Sequence, residues 1–146
     1  MAVAWPTVKA RLAAALPAVV GSTVTVIDGP VISGDNPAAY LTIGHQPSVE
    51  DETAGSYEQT RTPVGGFVAE ETGVVLMELA ALTGNPDVPD SFTAADAVHA
   101  WVQADQTLGV LTPGSTSTLS VEVLEAQNRA GAVQRLLLTL TYTTRV

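Results

Sequence analysis

The C-terminal part of the chain, residues 118 to 146, alternates apolar and polar residues in two runs. The first run places Leu119, Val121 and Val123 at every second position, and the second does the same over residues 136 to 142. Because side chains alternate between the two faces of a strand, this period of two predicts a β-hairpin connected by residues 126 to 131. A sheet with one apolar face must bury that face against another layer. The hairpin therefore calls for helices packed on one side.

Two segments have the apolar spacing of such helices. The first is predicted over residues 6 to 16, since Pro6 suits a first turn and Pro17 should end or kink the helix. Its apolar stripe consists of Trp5, Val8, Leu12, Ala15 and Val19. The second is predicted over residues 94 to 106, where Thr93 and Asp96 resemble a capping box. Its stripe consists of Ala94, Ala97, Val98, Trp101, Ala104 and Leu108.

The remaining apolar runs predict strands. Short β-branched or aromatic runs occur at residues 24 to 27 and 40 to 43, and Phe67 and Val68 are a further candidate strand. Residues 74 to 82 have the composition of a central strand interrupted only by Glu78. Residues 45 to 63 show no sustained periodicity and are rich in Glu, Asp, Ser, Thr, Gly and Pro. We interpret them as a long, mobile, acidic loop.

The order helix, strands, helix, strands predicts an α+β fold, with a mostly antiparallel sheet and two helices packed on one face. At 146 residues the chain fits a single domain over residues 1–146.

Lys9 and Arg11 precede an apolar run, but Pro17 interrupts it and we interpret the segment as a helix rather than a signal peptide. No apolar stretch approaches the ~20 residues of a membrane span, so we expect a soluble protein without a membrane partner.

Composition narrows the function. Six lysines and arginines against fifteen aspartates and glutamates give a formal net charge of -9. A chain this acidic is not expected to bind DNA or RNA with appreciable affinity. Cysteine is absent, which excludes thiolate metal sites and thiol nucleophiles. With 46% hydrophobic and only 14% charged residues, much of the surface must be neutral and suited to being covered.

No residues form a recognisable catalytic, cofactor-binding or metal constellation. The two histidines, His45 and His99, lack companions with ligand spacing, and we interpret both as ordinary loop and surface residues. Asp28 and Asp35 could share a cation, although Asp28 before Gly29-Pro30 is better explained by a turn. Glu78 on its apolar strand should face solvent or an arginine. The candidate arginines are Arg61, Arg129 and Arg135, in this or a neighbouring chain.

Several segments, taken in order, resemble those of a known family. They are a short helix, Val24-Thr25-Val26-Ile27-Asp28-Gly29-Pro30, Tyr40-Leu41-Thr42-Ile43-Gly44, an acidic loop, a strand over 70 to 82 closed by Thr83-Gly84-Asn85, a helix ending in Ala104-Asp105-Gln106-Thr107-Leu108-Gly109, and residues 127 to 131 before the last strand. This order resembles the tail terminator proteins of long, non-contractile-tailed bacteriophages, especially those that infect actinobacteria. The Ala, Val, Thr and Gly bias and the single lysine also suit a GC-rich genome.

The resemblance implies an α+β subunit that forms a homohexameric ring on the end of the tail tube. Such a ring stops tube polymerisation and presents a surface to the head's connector protein, while DNA passes through without specific binding. It implies no cofactor and no catalysis, a place at the head-tail junction of the virion, and the host cytoplasm during assembly.

Two sets of residues are predicted for such a ring. An acidic lumen lining would repel phosphates, and the candidates for that lining or for a tube-facing loop are Glu50, Asp51, Glu52 and Glu58. A closed ring needs one side of the subunit to complement the other. The candidates for the subunit interface lie on the polar side of the last strand and are Arg135, Thr139, Thr141 and Arg145.

Two alternatives remain open. The chain could be another head-tail connector component, such as an adaptor or stopper, or a tail-tube-like protein. It could also be a small-ligand-binding or enzymatic α+β domain with a pocket lined by Trp5, Trp101 and Tyr142. Aromatic residues at helical or strand spacing are more often part of the core.

Overall fold

A computed structural model describes residues 3–29, 39–45, 54–61, 69–82, 91–128 and 131–146. In chain order, its elements are α1 Trp5–Val20, β1 Thr25–Asp28, β2 Ala39–Ile43, β3 Gly55–Arg61, β4 Ala69–Leu82, α2 Ser91–Ala104, β5 Thr116–Asn128 and β6 Gly131–Arg145. The predicted α+β class is confirmed.

The strands of the described residues form one six-stranded sheet in the order β1-β2-β4-β6-β5, with β3 also paired to β4. One flank of β4 is shared, because β2 pairs with residues 77–81 and β3 with residues 69–75. Its other flank pairs with β6 along the whole strand. All pairs are antiparallel except β1 with β2. The long strands β4 and β6 are therefore central, and β5 and β1 lie at opposite edges.

One face of the sheet carries both helices. The core cluster takes every second residue from β4 and β6 together with the inward sides of α1 and α2. Its large members with no exposed surface include Leu12, Leu16, Leu41, Ile43, Met77, Leu79, Leu136, Leu138 and Leu140. The alternation that predicted the hairpin is thus an alternation between a helix-covered face and a second face, which we call the helix-distal face.

The first helix is longer than predicted. It continues through Pro17 to Val20, whereas the proline was expected to end or kink it near residue 16. Pro17 is exposed, while Leu16 is fully buried and Val19 and Val20 pack against the core. Burial of this last turn offsets the backbone hydrogen bond that a proline removes. The predicted stripe also omitted Leu16.

The second helix starts earlier and ends earlier than predicted. It begins at Ser91, so Thr93 lies inside the helix on its exposed side and the predicted capping box is wrong. The helix ends at Ala104, where Asp105 instead accepts hydrogen bonds from the backbone and hydroxyl of Thr107. The buried positions are Ser91, Ala94, Ala95, Val98 and Val102.

A strand occupies part of the predicted loop. Residues 55–61 form β3, which pairs with the first half of β4. Its side chains are mostly polar and exposed, so it carries no apolar alternation from which a strand could be predicted. The parts of the predicted loop at 46–53 and 62–63, and the possible strand at Phe67 and Val68, lie outside the described residues.

The predicted hairpin is confirmed but is longer than the alternation suggested. Pairing of β5 and β6 runs without interruption from Thr116 opposite Thr143 to Asn128 opposite Gly131. Residues 126 to 128, which we expected in the connection, are therefore part of the ladder. Residues 129 and 130 lie outside the described part.

Candidate assembly surfaces

A buried polar cluster surrounds Glu71 on the helix-covered face. The Ala4 backbone N–H lies 3.1 Å and 3.0 Å from its two carboxylate oxygens, Gln59 Nε2 donates to Oε1 at 2.8 Å, and the Tyr142 hydroxyl donates to Oε2 at 2.7 Å. Glu71 has no exposed surface. The cluster therefore ties the start of α1 to three strands, and the positive end of the helix dipole faces the carboxylate.

A second polar cluster lies on the helix-distal face. Arg135 Nη2 on β6 donates to Glu78 Oε2 at 2.8 Å, and the Tyr40 hydroxyl on β2 donates to Glu78 Oε1 at 3.1 Å. Of the three arginines proposed for Glu78, Arg135 pairs with it, while Arg129 and the Arg61 side chain lie outside the described part of the chain. Burial, followed by the charge and hydrogen bond of Glu78, raises the pKa of Tyr40 to about 12. The hydrogen bond to Glu78 likewise raises the pKa of Arg135.

The predicted acidic set is only partly described. Glu58 lies on β3, where its exposed side chain shares a register position with Thr72 of β4. Glu50, Asp51 and Glu52 lie outside the described residues. Whether these acids line a lumen therefore stays a prediction.

The predicted interface set falls on the helix-distal face of β6. Thr139 and Thr141 are half-buried there, and Arg145 is exposed opposite Glu70. Arg135 already has a partner in Glu78 of its own chain. Apolar side chains share the same face, since Leu76 lies opposite Thr139. The surface is thus a mixed apolar and hydroxyl sheet face rather than a charged patch, and its role as an interface remains a prediction.

The edge strand β5 was not predicted to be exposed. Val121 and Val123 lie opposite the buried Leu138 and Leu136, yet their own surfaces are 43% and 47% exposed. Leu124, on the helix-distal side, is 37% exposed. The alternation in the sequence predicted burial for both valines. It could not indicate that β5 forms the edge of the sheet, where Leu119 packs against the core but Val121 and Val123 remain partly exposed.

An open polar cleft of about 420 Å³ lies beside Arg145, between the start of β5 and the end of β6. Inside it, Ser115 Oγ is 2.6 Å from Thr144 Oγ1, which is 3.1 Å from Thr112 Oγ1. These hydroxyls satisfy one another. Across the described residues, no buried side-chain nitrogen or oxygen lacks a hydrogen-bond partner. The described side chains of the cleft therefore leave no buried polar group that a ligand would be needed to satisfy.

The other candidate residues have local structural roles. Asp28 pairs with Lys9 at 2.9 Å, the carbonyl of His45 accepts a hydrogen bond from Thr42, and His99 is exposed on α2. Asp35 lies outside the described residues. In the parts of the chain that the structure covers, no three His, Asp or Glu side chains are grouped to hold a metal ion.

The three aromatics proposed for a ligand pocket instead hold elements together. The Trp5 indole N–H donates to the carbonyl of Val74 at 2.8 Å, and Tyr142 binds Glu71. The Arg11 guanidinium lies 5.8 Å from the centre of the Trp101 ring, and its Nε donates to the Leu108 carbonyl. All three rings pack in or against the core. They do not line the cleft beside Arg145.

No described helix is both long and apolar enough to cross a membrane.

No protein-family model matches this chain, and no curated protein matches it. Among solved structures, a chain in the virion of a native gene transfer agent particle is similar, with a TM-score of 0.49 and 15% sequence identity. The match covers 96% of this chain and 91% of that chain.

Proposed function

We propose that this protein is a non-catalytic structural subunit of a phage-like virion, which assembles into a ring and caps the end of a tail tube. The proposal starts from the sequence resemblance to tail terminators, in which a helix, two short strands, a long strand, a second helix and a terminal hairpin follow one another. The described elements follow this order, with the further strand β3 between β2 and β4. Tail tube protein on one side and a head connector protein on the other are its proposed partners.

The observation that carries the proposal is that, in the described part of the chain, the helices cover one face of the sheet. Both helices pack on that face, whereas the half-buried Leu76, Thr139 and Thr141 share the other face. Neutral hydroxyl and aliphatic groups are inexpensive to desolvate compared with charges, so such a face suits contact with another protein. A subunit that works by being packed between neighbours requires surfaces of this kind.

The acidic residues fit the same proposal. With a net charge of -9, a ring of these subunits would repel the phosphates of DNA passing through it. Glu58 on β3 is the described member of the proposed lining. Glu50, Asp51 and Glu52 belong to the same predicted acidic segment. Repulsion would keep the DNA from sticking during its passage.

A tube-length assay tests this function. Tail tube protein is polymerised with increasing amounts of this protein, and tube lengths are measured by electron microscopy. A terminator shortens the tubes and appears only at one end. An adaptor or stopper would leave tube length unchanged and bind the head connector alone, and that result would contradict the proposal. A tube-like protein would instead copolymerise along the tubes.

The proposed tube-facing segment can be tested by hydrogen exchange. Docking should add protection to the backbone amides of residues 45–63, beyond that of the β3 amides already bonded to β4, because contact with the tube would supply further hydrogen bonds there. The matched control is the turn at residues 105–114, which should keep its exchange rates. Unchanged exchange rates of residues 45–63 after docking would show that this segment does not contact the tube. The capping activity itself would still be judged by the tube-length assay.

A further inference from the structure

The exposed edge of β5 carries few of the features that usually prevent strand pairing between molecules. Its thirteen residues, Thr116–Asn128, contain no proline, lysine or arginine, their charged residues are Glu122 and Glu125, and their pairing with β6 shows no bulge. Val121, Val123 and Leu124 expose a large part of their surface along this edge. Natural proteins interrupt such edges with charges, prolines or bulges, or else cover them. Apart from its two glutamates, β5 is therefore suited to pairing with another strand along this edge.

The opposite edge of the same sheet provides a strand at the same level. The registers of the paired strands define a single row across the sheet on the helix-covered face. The row consists of Val26, Leu41, Leu79, Leu136 and Val123. Its two ends are valines on the two edge strands, β1 and β5. The neighbouring row on the helix-distal face ends at Thr25 on β1 and Leu124 on β5.

Strand direction favours the same partner. From β5 to β6, β4 and β2 every step is antiparallel, and the last step to β1 is parallel. Three reversals leave β1 running opposite to β5. If the subunit is repeated side by side, β5 of one copy meets β1 of the next in antiparallel orientation, and the helix-covered faces stay on the same side. This contact joins different edges, as a closed ring needs.

The charges at the two edges are compatible with this contact. Asp28 at the end of β1 is neutralised by Lys9 at 2.9 Å. In the register between the two edges, Glu122 of β5 lies opposite Ile27 of β1. Glu122 is on the helix-distal face of the sheet, whereas Asp28 is on the helix-covered face. No like charges therefore lie directly opposite each other in this register, although the chain as a whole is strongly acidic.

We infer that a second copy of this chain covers the β5 edge with its β1 strand, so that Val123 of one subunit lies beside Val26 of the next and Leu124 lies beside Thr25. The inference rests on the proposed ring, for which it specifies the contact between subunits. Four residue pairs of β1 would continue the sheet from one subunit into the next. This contact buries Val123, which the isolated subunit leaves exposed, beside the half-buried Val26.

Cysteine cross-linking tests the contact directly, because the chain has no cysteine of its own. The double variant Leu124→Cys/Thr25→Cys places two thiols at positions that face each other across the inferred contact and that are both exposed in the subunit. Mild oxidation at high protein concentration should give a ladder of covalent multimers on a denaturing gel. Each single variant should give no ladder, since a contact between different edges needs both thiols. The control pair Leu124→Cys/Val110→Cys uses a similarly exposed valine outside the sheet and should give none either.

The outcomes separate the contact from the function. Covalent dimers from Leu124→Cys alone would show β5 pairing with itself and would overturn the inference. An oligomer seen by light scattering without any cross-linked ladder would overturn it as well, while leaving the ring intact. Failure to shorten tail tubes would instead overturn the proposed function. As a second measurement, Val123→Lys should abolish the oligomer, whereas Val110→Lys should leave its mass unchanged; an intact oligomer in Val123→Lys contradicts the contact.

Discussion

The Tyr142 hydroxyl donates a buried 2.7 Å hydrogen bond to Oε2 of Glu71. The two side chains lie on neighbouring central strands, with Gly73 directly opposite Tyr142 in the register. A glycine there leaves room for the tyrosine ring, which reaches across it to the carboxylate. Burial and the hydrogen bond to Glu71 raise the pKa of Tyr142, so it remains a donor. This pair fixes β4 to β6 and presents the carboxylate to the start of α1.

The first prediction concerns the carboxylate itself. Glu71→Gln should lower the free energy of unfolding by about 1–3 kcal/mol, because an amide group turns a donor toward the donors on Ala4, Gln59 and Tyr142. Urea unfolding followed by circular dichroism measures the change. The adjacent Glu70 is exposed, and Glu70→Gln should stay within about 0.5 kcal/mol of wild type. Equal losses in both variants would contradict the role assigned to Glu71.

A second prediction concerns the space over Gly73. A Cβ at this position would overlap the Tyr142 ring, so Gly73→Ala should cost about 1–3 kcal/mol of stability through displacement of that ring. In a Tyr142→Ala background the same substitution should cost much less, since the overlap is gone. A double-mutant cycle measures this coupling. Additive losses would mean that the tyrosine is not what excludes a side chain here.

The ion pair on the helix-distal face gives a third prediction. Arg135→Met leaves Glu78, whose side chain is 4% exposed, without its cation, and should destabilise the protein by about 2–4 kcal/mol. Adding Glu78→Leu should recover most of that loss, because the uncompensated charge is then removed. Arg145→Met removes an exposed arginine from the same strand and serves as the control. Chemical denaturation of the four proteins would contradict the prediction if the double variant were the least stable.

The fourth prediction concerns alkaline pH. Tyr40 has its pKa raised from 10.0 to about 12, so between these values the folded protein keeps a proton that the unfolded chain has lost. The stabilisation is therefore complete below pH 10 and is lost as pH rises toward 12. The stability of wild type should fall more steeply over this range than that of Tyr40→Phe. Unfolding curves at a series of pH values test it, and parallel pH profiles would contradict it.

Several elements of the fold could be predicted from side-chain patterns alone. The alternation of Leu136, Leu138 and Leu140 gave the buried face of β6, and the apolar run over residues 74 to 82 gave a central strand. Both predictions rest on burial, because a strand with a buried face or a buried run places apolar residues in a recognisable pattern along the sequence. The strand β3 left no such period, because its partner β4 holds it through the backbone ladder and Gln59 holds it to Glu71. Backbone hydrogen bonds are the same for every sequence, so they could not be predicted from residue types.

The candidate surfaces divide in the same way. The neutral composition and the hydroxyl-rich side of β6 were evident in the sequence. Two other features depend on which strands neighbour each other. They are the ion pair of Arg135 with Glu78 and the position of β5, rather than β6, at an edge of the sheet. These neighbours are far apart along the chain, and a one-dimensional pattern carries no information about them.

The sequence by itself determined the α+β class, the antiparallel terminal hairpin and the apolar side of each long strand, because burying an apolar face imposes a period on the residues. Only the tertiary structure decided that Pro17 stays within α1, that Glu71 accepts hydrogen bonds from three elements, and that Val121 and Val123 stand at an uncovered edge. Each of these depends on strand order and on the free energy of packing summed over distant segments, which no local pattern records.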